Sequence, residues 1–390
     1  MNSYASKKTI RIVLVSEYFY PANNAPGARF KPLALEFIKH FALTIYTSKI
    51  SAGVNEFSIK CNLLPFPRNQ ARTIARLFAE ILYGFETFIR LIFSKGDIYY
   101  VTSPSFINCI FSVAHCLIFN KPYIIDIRDD YPRVYFEAGL IKSNSFAGRL
   151  LLKIEQKMCA SSILVIAATE GIKQNIKKYY SGNIWLLRNG YSNQLFKPCK
   201  EKYPDFTLVF HGIISNYQDV DLLIDLGKAI TKRNLEISII VIGQGSQEDK
   251  LKNNLPPCIK YLGPKPYEDI PTLISKAHLG LSFRRQGKIS QDSFPVKTYE
   301  YIGVGIPIIV TPISEAGNYV TKSKIGYQFN PENIDELLNK IIEIKSDAEL
   351  YSQLTENILK IRPQFSREKI SSDAAHKLVE LTQESVFISS

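Results

Sequence analysis

Short apolar runs recur along the chain, each giving way to polar residues before a helical periodicity takes over. Ile10 to Ser16 (IRIVLVS) is apolar without alternation, which is how a strand buried on both faces of a parallel sheet reads. A loop over Glu17 to Ala28 and a helical pattern from Arg29 to Phe41 follow it. Leu43 to Thr47, Asp97 to Val101, Tyr123 to Ile127, Ser162 to Ala167 and Ile184 to Arg188 repeat the strand pattern, with Ser105 to Phe119 as the helix of one βαβ unit. After a stretch with two prolines and three lysines, Phe196 to Asp205, the alternation restarts at Thr207 to Phe210. It continues through Glu236 to Ile242, Ile259 to Leu262, Leu279 to Phe283 and Ile306 to Val310. Ile334 to Ile361 reads as helical, and a last helix follows Phe365-Ser366-Arg367. Strands alternating with helices predict an α/β protein with parallel sheets.

At 390 residues the chain is longer than one core usually grows, so two domains are expected, with Phe196 to Asp205 as the linker. A hydrophobic content of 46% with 22% charge excludes a disordered chain. The six cysteines, Cys61, Cys109, Cys116, Cys159, Cys199 and Cys258, form no C-x-x-C pair and no cluster of metal spacing, as expected of reduced thiols in a cytoplasmic protein. Met1 to Lys8 is polar and lacks the pattern of a signal peptide, and Ser105 to Phe119 is too short to span a bilayer. His115, inside that apolar segment, reads as a core histidine rather than a catalytic one.

Chemistry concentrates in two places. The first is Asp292 to Pro312 (DSFPVKTYEYIGVGIPIIVTP), which reads as loop, helix, tight turn and buried strand. Lys297 falls in the first turn of that helix and Glu300 a turn later, so unpaired N–H groups and a cation together form a cradle for phosphate. A carboxylate beside a phosphate site suits neutral hydroxyls, such as those of a ribose or sugar. The second place is the end of the Tyr123 to Ile127 strand, DIRDDYPRVYFEAG, where three aspartates and two arginines gather at the edge on which open α/β sheets bind ligands. An Asp/Arg cluster that merely fixes the loop is the competing reading. The loop after the first strand holds only Gly27 where a dinucleotide-binding dehydrogenase has G-x-G-x-x-G, which argues against an oxidoreductase.

The stretch from Asp292 to Pro312 resembles the donor-site signature of the retaining GT-B glycosyltransferases of the GT4 type, the bacterial surface-polysaccharide enzymes among them. Their two carboxylates lie eight positions apart, as do Asp292 and Glu300, and Pro295, Lys297, Tyr301, Gly305 and Pro307 continue the match. Asp292 departs from the family's usual Glu, and Gln218 stands where the family commonly has a lysine. The resemblance implies a GT-B fold, two Rossmann-like domains with parallel sheets facing across a cleft. The N-terminal, acceptor-side domain would span residues 1–197 and be completed by a C-terminal helix at about 368–390. Residues 198–367 would bind the nucleotide sugar.

It also implies roles for individual residues. Asp292, Glu300, Lys297, Asp126, Arg128 and Asp129 are the catalytic candidates. Gly27, Gly212, Gly243, Leu262, Gly263, Arg284, Arg285, Lys297 and Glu300 are the donor-binding ones, with the leaving-group charge falling to Lys297, Arg284 or Arg285. The reaction implied is transfer of a sugar from a nucleoside diphosphate such as UDP to a hydroxyl with retention, without cofactor or metal. A sugar-nucleotide epimerase, or a non-catalytic sugar-nucleotide-binding protein of the same fold, is the alternative.

Charge adds a location. Residues 1–195 carry 24 Lys/Arg against 12 Asp/Glu, and the remaining residues 24 against 24, so the whole excess of +12 lies in the first half. Placed on a helix, Arg68, Arg72, Arg76 and Arg90 form one stripe, while Ile74, Leu77, Phe78, Ile81, Phe85, Phe88, Ile89 and Ile92 form another. That pattern is expected of a helix lying in an anionic membrane interface, unless its apolar stripe packs on the sheet. The expected partners are therefore a nucleotide sugar, a glycan or lipid-linked acceptor and an anionic membrane surface, with no nucleic acid, on the inner face of the cell membrane.

Overall fold

In a computed structural model that describes residues 9–19, 25–48, 56–65, 73–103 and 105–383, the chain divides into two units. The first comprises Met1–Arg188 with Ser371–Ser390, and the second Asn189–Ile370.

The first unit is a parallel sheet of β1 (Arg11–Val15), β2 (Ala42–Thr47), β3 (Ser58–Cys61), β4 (Ile98–Thr102), β5 (Tyr123–Ile127), β6 (Leu164–Ala167) and β7 (Ile184–Leu186), in the spatial order β3-β2-β1-β4-β5-β6-β7. Strand alternation sends Ile12 and Leu14 to one core, with Phe30, Phe37 and Tyr100, and Val13 and Val15 to the other, with Tyr99, Cys109 and Val113. The first core is closed by Ala374, Ala375, Leu378 and Leu381 from the Arg367–Gln383 helix.

Several elements differ from expectation. Helix α1 (Ala25–Phe37) begins four residues before Arg29, because a proline in a first helical turn lacks only an N–H that has no acceptor there. Gly27 therefore lies in a helical first turn rather than a loop. β3 is a short edge strand of alternating exposure with little apolar signal. Ile334 to Ile361 is two helices, Ile334–Ser346 and Ala348–Ile361, because the Asp347 carboxylate caps the second by accepting from Leu350 N at 2.9 Å.

Helix α2 (Thr73–Ile92) runs unbroken through Gly84, which seats against the Phe111 ring of α3 (Phe106–Ile118). Tyr83, Thr87 and Leu91 are buried, whereas Leu77, Phe78, Ile81, Leu82, Phe85, Ile89 and Ile92 are exposed, so the apolar stripe does not pack on the sheet. Arg76 and Arg90 pair with Glu80 (2.9 Å) and Glu86 (2.6 Å) one turn away, and Arg68 and Arg72 lie outside the described residues. α3 is capped by Ser105, whose Oγ accepts from Asn108 N at 3.2 Å. His115 is a buried core residue among Phe88, Tyr99 and Phe119, and burial lowers it to about 4, so it is neutral. Among the described residues no helix is long and apolar enough to cross a membrane.

The second unit is a parallel sheet of β8 (Phe206–His211), β9 (Ile237–Ile242), β10 (Ile259–Tyr261), β11 (Leu279–Phe283), β12 (Ile308–Thr311) and β13 (Gly326–Gln328), in the order β10-β9-β8-β11-β12-β13. The expected linker belongs to this unit: Phe196 is fully buried in its core, and Lys202 Nζ donates to the Ser275 and Ala277 carbonyls at 2.8 and 3.0 Å. The division falls after Arg188 rather than after 197 because Tyr191 is tied to the end of the unit, accepting from Arg367 N and donating its own N–H to Phe365, both at 2.9 Å.

Candidate functional site

Each sheet reverses its direction of growth between two neighbouring strands, β1 and β4 in the first unit and β8 and β11 in the second. Ligands of open α/β sheets bind outside the carboxyl ends of strands at such a switch point.

In the second unit His211 ends β8 and Gly212 follows it, while Arg284 and Arg285 follow β11. The Val296–Val304 helix is fastened across both strands by Tyr301, whose hydroxyl donates to the Val209 carbonyl at 3.0 Å and the Leu281 carbonyl at 3.1 Å. No side chain caps the start of this helix. Lys297, in its first turn, donates from Nζ to Gln218 Oε1 at 3.1 Å and lies 3.8 Å above the Phe210 ring. Gly212 has a positive φ of 112°, which favours glycine, and its backbone passes beside Lys297, where a Cβ would be in ordinary contact at 3.9 Å from Nζ. Gln218 bridges to Arg284, whose Nη1 donates to Ser293 Oγ at 3.0 Å. The residue that departs from the family pattern is thus the one that holds Lys297.

Lys297 and Glu300 are 7% and 4% exposed, so both lie in the interior, where their residue types are seldom found. Burial pulls Lys297 down to about 7, Arg284 adding to the effect and Glu300 opposing it. Burial pushes Glu300 up to about 7 against Arg367, Tyr267 and Lys297. Tyr267 donates to Glu300 Oε1 at 3.1 Å and accepts from Arg367 Nη1 at 3.2 Å. His211 Nε2 is 3.5 Å from Glu300 Oε2, but burial, reinforced by Lys297, holds the imidazole neutral at about 3. Sequence reasoning missed His211, Tyr267 and Arg367 as partners of Glu300, because they come from separate parts of the chain.

The other donor-side residues are arranged around this network. Gly243 donates to the Gly263 carbonyl at 3.0 Å and accepts from the Tyr261 hydroxyl at 2.7 Å, while Gly212 donates to Ile242 at 2.9 Å, so the loops after β8, β9 and β10 are laced together. The Leu262 N–H is engaged with Val241 at 2.9 Å. Arg285 is turned to Asp221 at 3.1 Å, and Asp292 accepts from Lys288 at 2.9 Å at the end of the Lys288–Gln291 helix.

In the first unit the D-x-R-D residues have different surroundings. Asp126 is fully buried in an ion pair with Arg29 (3.2 Å) and accepts from the Tyr100 hydroxyl at 3.0 Å. Its contacts are those of a group that fixes the sheet edge to α1. Asp129 is exposed. Arg128 is half-buried, donates its N–H to Ser103 Oγ at 3.2 Å, and has Nε and Nη1 sealed from solvent without a hydrogen-bond partner.

Residues 193–360 match the family "Glycosyl transferases group 1". The chain is 26% identical over 237 residues to an uncharacterized glycosyltransferase of Methanocaldococcus jannaschii, a match covering 59% of this chain and 62% of that relative. Among solved structures it is similar to sucrose-phosphate synthase from Thermosynechococcus elongatus, with a TM-score of 0.75 at 13% identity over 96% of this chain and 100% of the other. It is also similar to Anabaena HepE in complex with UDP-glucose, with a TM-score of 0.67 at 16% identity over 95% and 100%. These likenesses, with the two parallel sheets, identify the fold as GT-B.

Proposed function

We propose that this chain, whose residues 193–360 match the group 1 glycosyl transferases, moves a sugar from a nucleoside diphosphate to a hydroxyl with retention, on a lipid-linked glycan of a surface polysaccharide. The arrangement of Gly212, Gln218 and Lys297 at the β8/β11 switch point carries the reading. In the step itself the bond between the anomeric carbon and the diphosphate oxygen breaks, the oxygen keeping the electron pair. The acceptor oxygen bonds to that carbon on the same face, and its proton passes to the departing diphosphate. To that developing negative charge we assign Lys297 and the helix start that no side chain caps. Glu300, held by Tyr267, is the candidate for the ribose hydroxyls. The test is thermal stability with UDP, GDP and UDP-glucose, followed by UDP release from UDP-glucose in the presence of a membrane extract. A melting temperature indifferent to all three ligands would refute the donor reading.

The α2 face supports attachment to the inner surface of a membrane. Its exposed Leu, Ile and Phe side chains form a continuous apolar arc, and partitioning of each Phe into an interface contributes on the order of 2 kcal/mol. Because Arg76 and Arg90 are paired within the helix, the apolar arc and not the arginines should dominate. Wild-type protein is expected to pellet with phosphatidylglycerol-containing vesicles, and Phe78→Asp/Phe85→Asp to lose that partition more than tenfold. Equal sedimentation of the two proteins would place the interaction elsewhere.

A further inference from the structure

Buried polar atoms without a hydrogen-bond partner collect along one edge of the first unit. In spatial order from β3 to β5 they are Asn62 Oδ1, Thr47 Oγ1, both carboxylate oxygens of Glu17, Thr102 Oγ1, and Nε and Nη1 of Arg128. Each belongs to the last residue of its strand or to one within two positions after it, so all lie at the carboxyl ends, centred on the β1/β4 switch point. Leaving such groups unpaired costs about 1–3 kcal/mol each, more for a charged group, and a row of them at a ligand-binding edge is what a site awaiting its ligand looks like.

Glu17 is the centre of the row and is 0% exposed. Asp126 is occupied by Arg29 and Tyr100, so among these carboxylates Glu17 is the one whose oxygens lack partners. The row mixes acceptors, donors and hydroxyls, which suits a ligand whose groups both donate and accept. The charges that bear on Glu17 are Arg128 and Asp129 from the β5 end and Glu80 from α2, with Asp126 nearby on β5 acting on Arg128. Tyr18, Tyr83 of α2 and Cys109 of α3 also face it. With Asp129 and Glu80 added to Glu17 itself and Arg128 alone opposing them, a phosphate or carboxylate ligand would be repelled.

We infer that Glu17 and Arg128 form the sugar-recognition pair of the first unit, Glu17 accepting from vicinal hydroxyls and Arg128 donating to hydroxyl oxygens of an uncharged acceptor sugar. The assignment of that sugar as acceptor rests on the glycosyl-transfer reading. Burial holds Glu17 up at about 7. Because the carboxylate is the form that accepts hydroxyl hydrogens, sugar binding strengthens as pH rises through 7.

The experiment is saturation-transfer NMR on the full chain with UDP present, using methyl α-glucoside, α-mannoside and α-galactoside as neutral probes and glucose 1-phosphate as the anionic one, at pH 6 and pH 8. The wild type is expected to respond to at least one neutral glycoside more strongly at pH 8, and less to the anion. Glu17→Gln, isosteric and therefore foldable, is expected to weaken the glycoside response at least tenfold and to remove its pH dependence. Arg128→Lys is expected to weaken it while keeping the pH dependence. The thermal shift with UDP is measured on the same samples and reads the second unit alone. A retained UDP shift with no glycoside response in the wild type, or with responses unchanged in both variants, overturns this inference and leaves the donor reading standing. Loss of the UDP shift in the wild type overturns the donor reading instead.

Discussion

Replacing Lys297 by methionine is expected to abolish most of the thermal response to UDP while leaving the free protein as stable as the wild type or more so. The two effects have one cause. A buried ammonium held by a neutral amide and a ring face has lost its water without gaining a full counter-charge, and an apolar side chain of similar length removes that penalty. A bound diphosphate supplies the missing counter-charge, and losing one charge-assisted contact to it costs about 1.5–3 kcal/mol, roughly a 10- to 150-fold loss in affinity. The pH dependence follows from the same burial. The folded Lys297 gives up its proton near 7, well below its ordinary value of about 10.5, so the free protein gains stability as pH rises across that window and loses it as pH falls back toward 7. Glu300 has the opposite sense: raised from its ordinary 4.5 to about 7, it takes stability away as pH rises from 4.5 to 7. UDP affinity should fall as pH rises through 7, since the diphosphate needs the ammonium. Melting curves from pH 5 to 10 on wild type and Lys297→Met check all of this. A variant that is strongly destabilised, or that retains its UDP response, would contradict the account.

Gly243→Ala is expected to be among the most damaging single-methyl changes in the second unit. A Cβ at this position would stand at 1.9 Å from the Gly212 carbonyl oxygen, and φ is +137°, a backbone setting that alanine rarely adopts. Strain and overpacking together should cost roughly 3 kcal/mol or more. Because the clash falls on the loop that brings Gly212 to Lys297, the folded fraction should also lose UDP affinity. Gly263→Ala is the control. Its φ is +68° but nothing lies within 4 Å of the added carbon, so only about 1 kcal/mol of backbone strain is expected and the loop after β8 should stay in place. Denaturant melts of the two variants, with equal loss in both, would show that crowding against Gly212 is not what the glycine at 243 avoids.

What could be read from the chain follows from what each residue faces. β1, β5 and β11 are apolar on both sides and were legible nearly to the residue, whereas β3 sits at an edge and looks like loop. The Lys297–Glu300 pair was legible as a motif. Its burial was not, because Lys and Glu are surface types and only the fold reveals that Tyr267, Arg367, Gln218 and Phe210 close over them. The end of β5 was legible as a polar cluster, but not its division of labour. Asp126 is claimed by Arg29, 97 positions earlier, and Arg128 is left without that partner. Glu17 passed unnoticed for the same reason, since in the sequence it is one acid at a strand end.

The closure of the first unit's core by Ala374, Ala375, Leu378 and Leu381 bears on the order in which the molecule is made. The second unit is a continuous segment, Asn189–Ile370, and has all its residues as soon as that segment leaves the ribosome. The first unit, although translated earlier, leaves one side of its sheet uncovered until the Arg367–Gln383 helix emerges. During synthesis Ile12, Leu14 and Tyr100 must therefore wait, exposed to chaperones or to neighbouring chains, and a stop codon before residue 371 would leave the second unit whole while stranding the unit that began the chain.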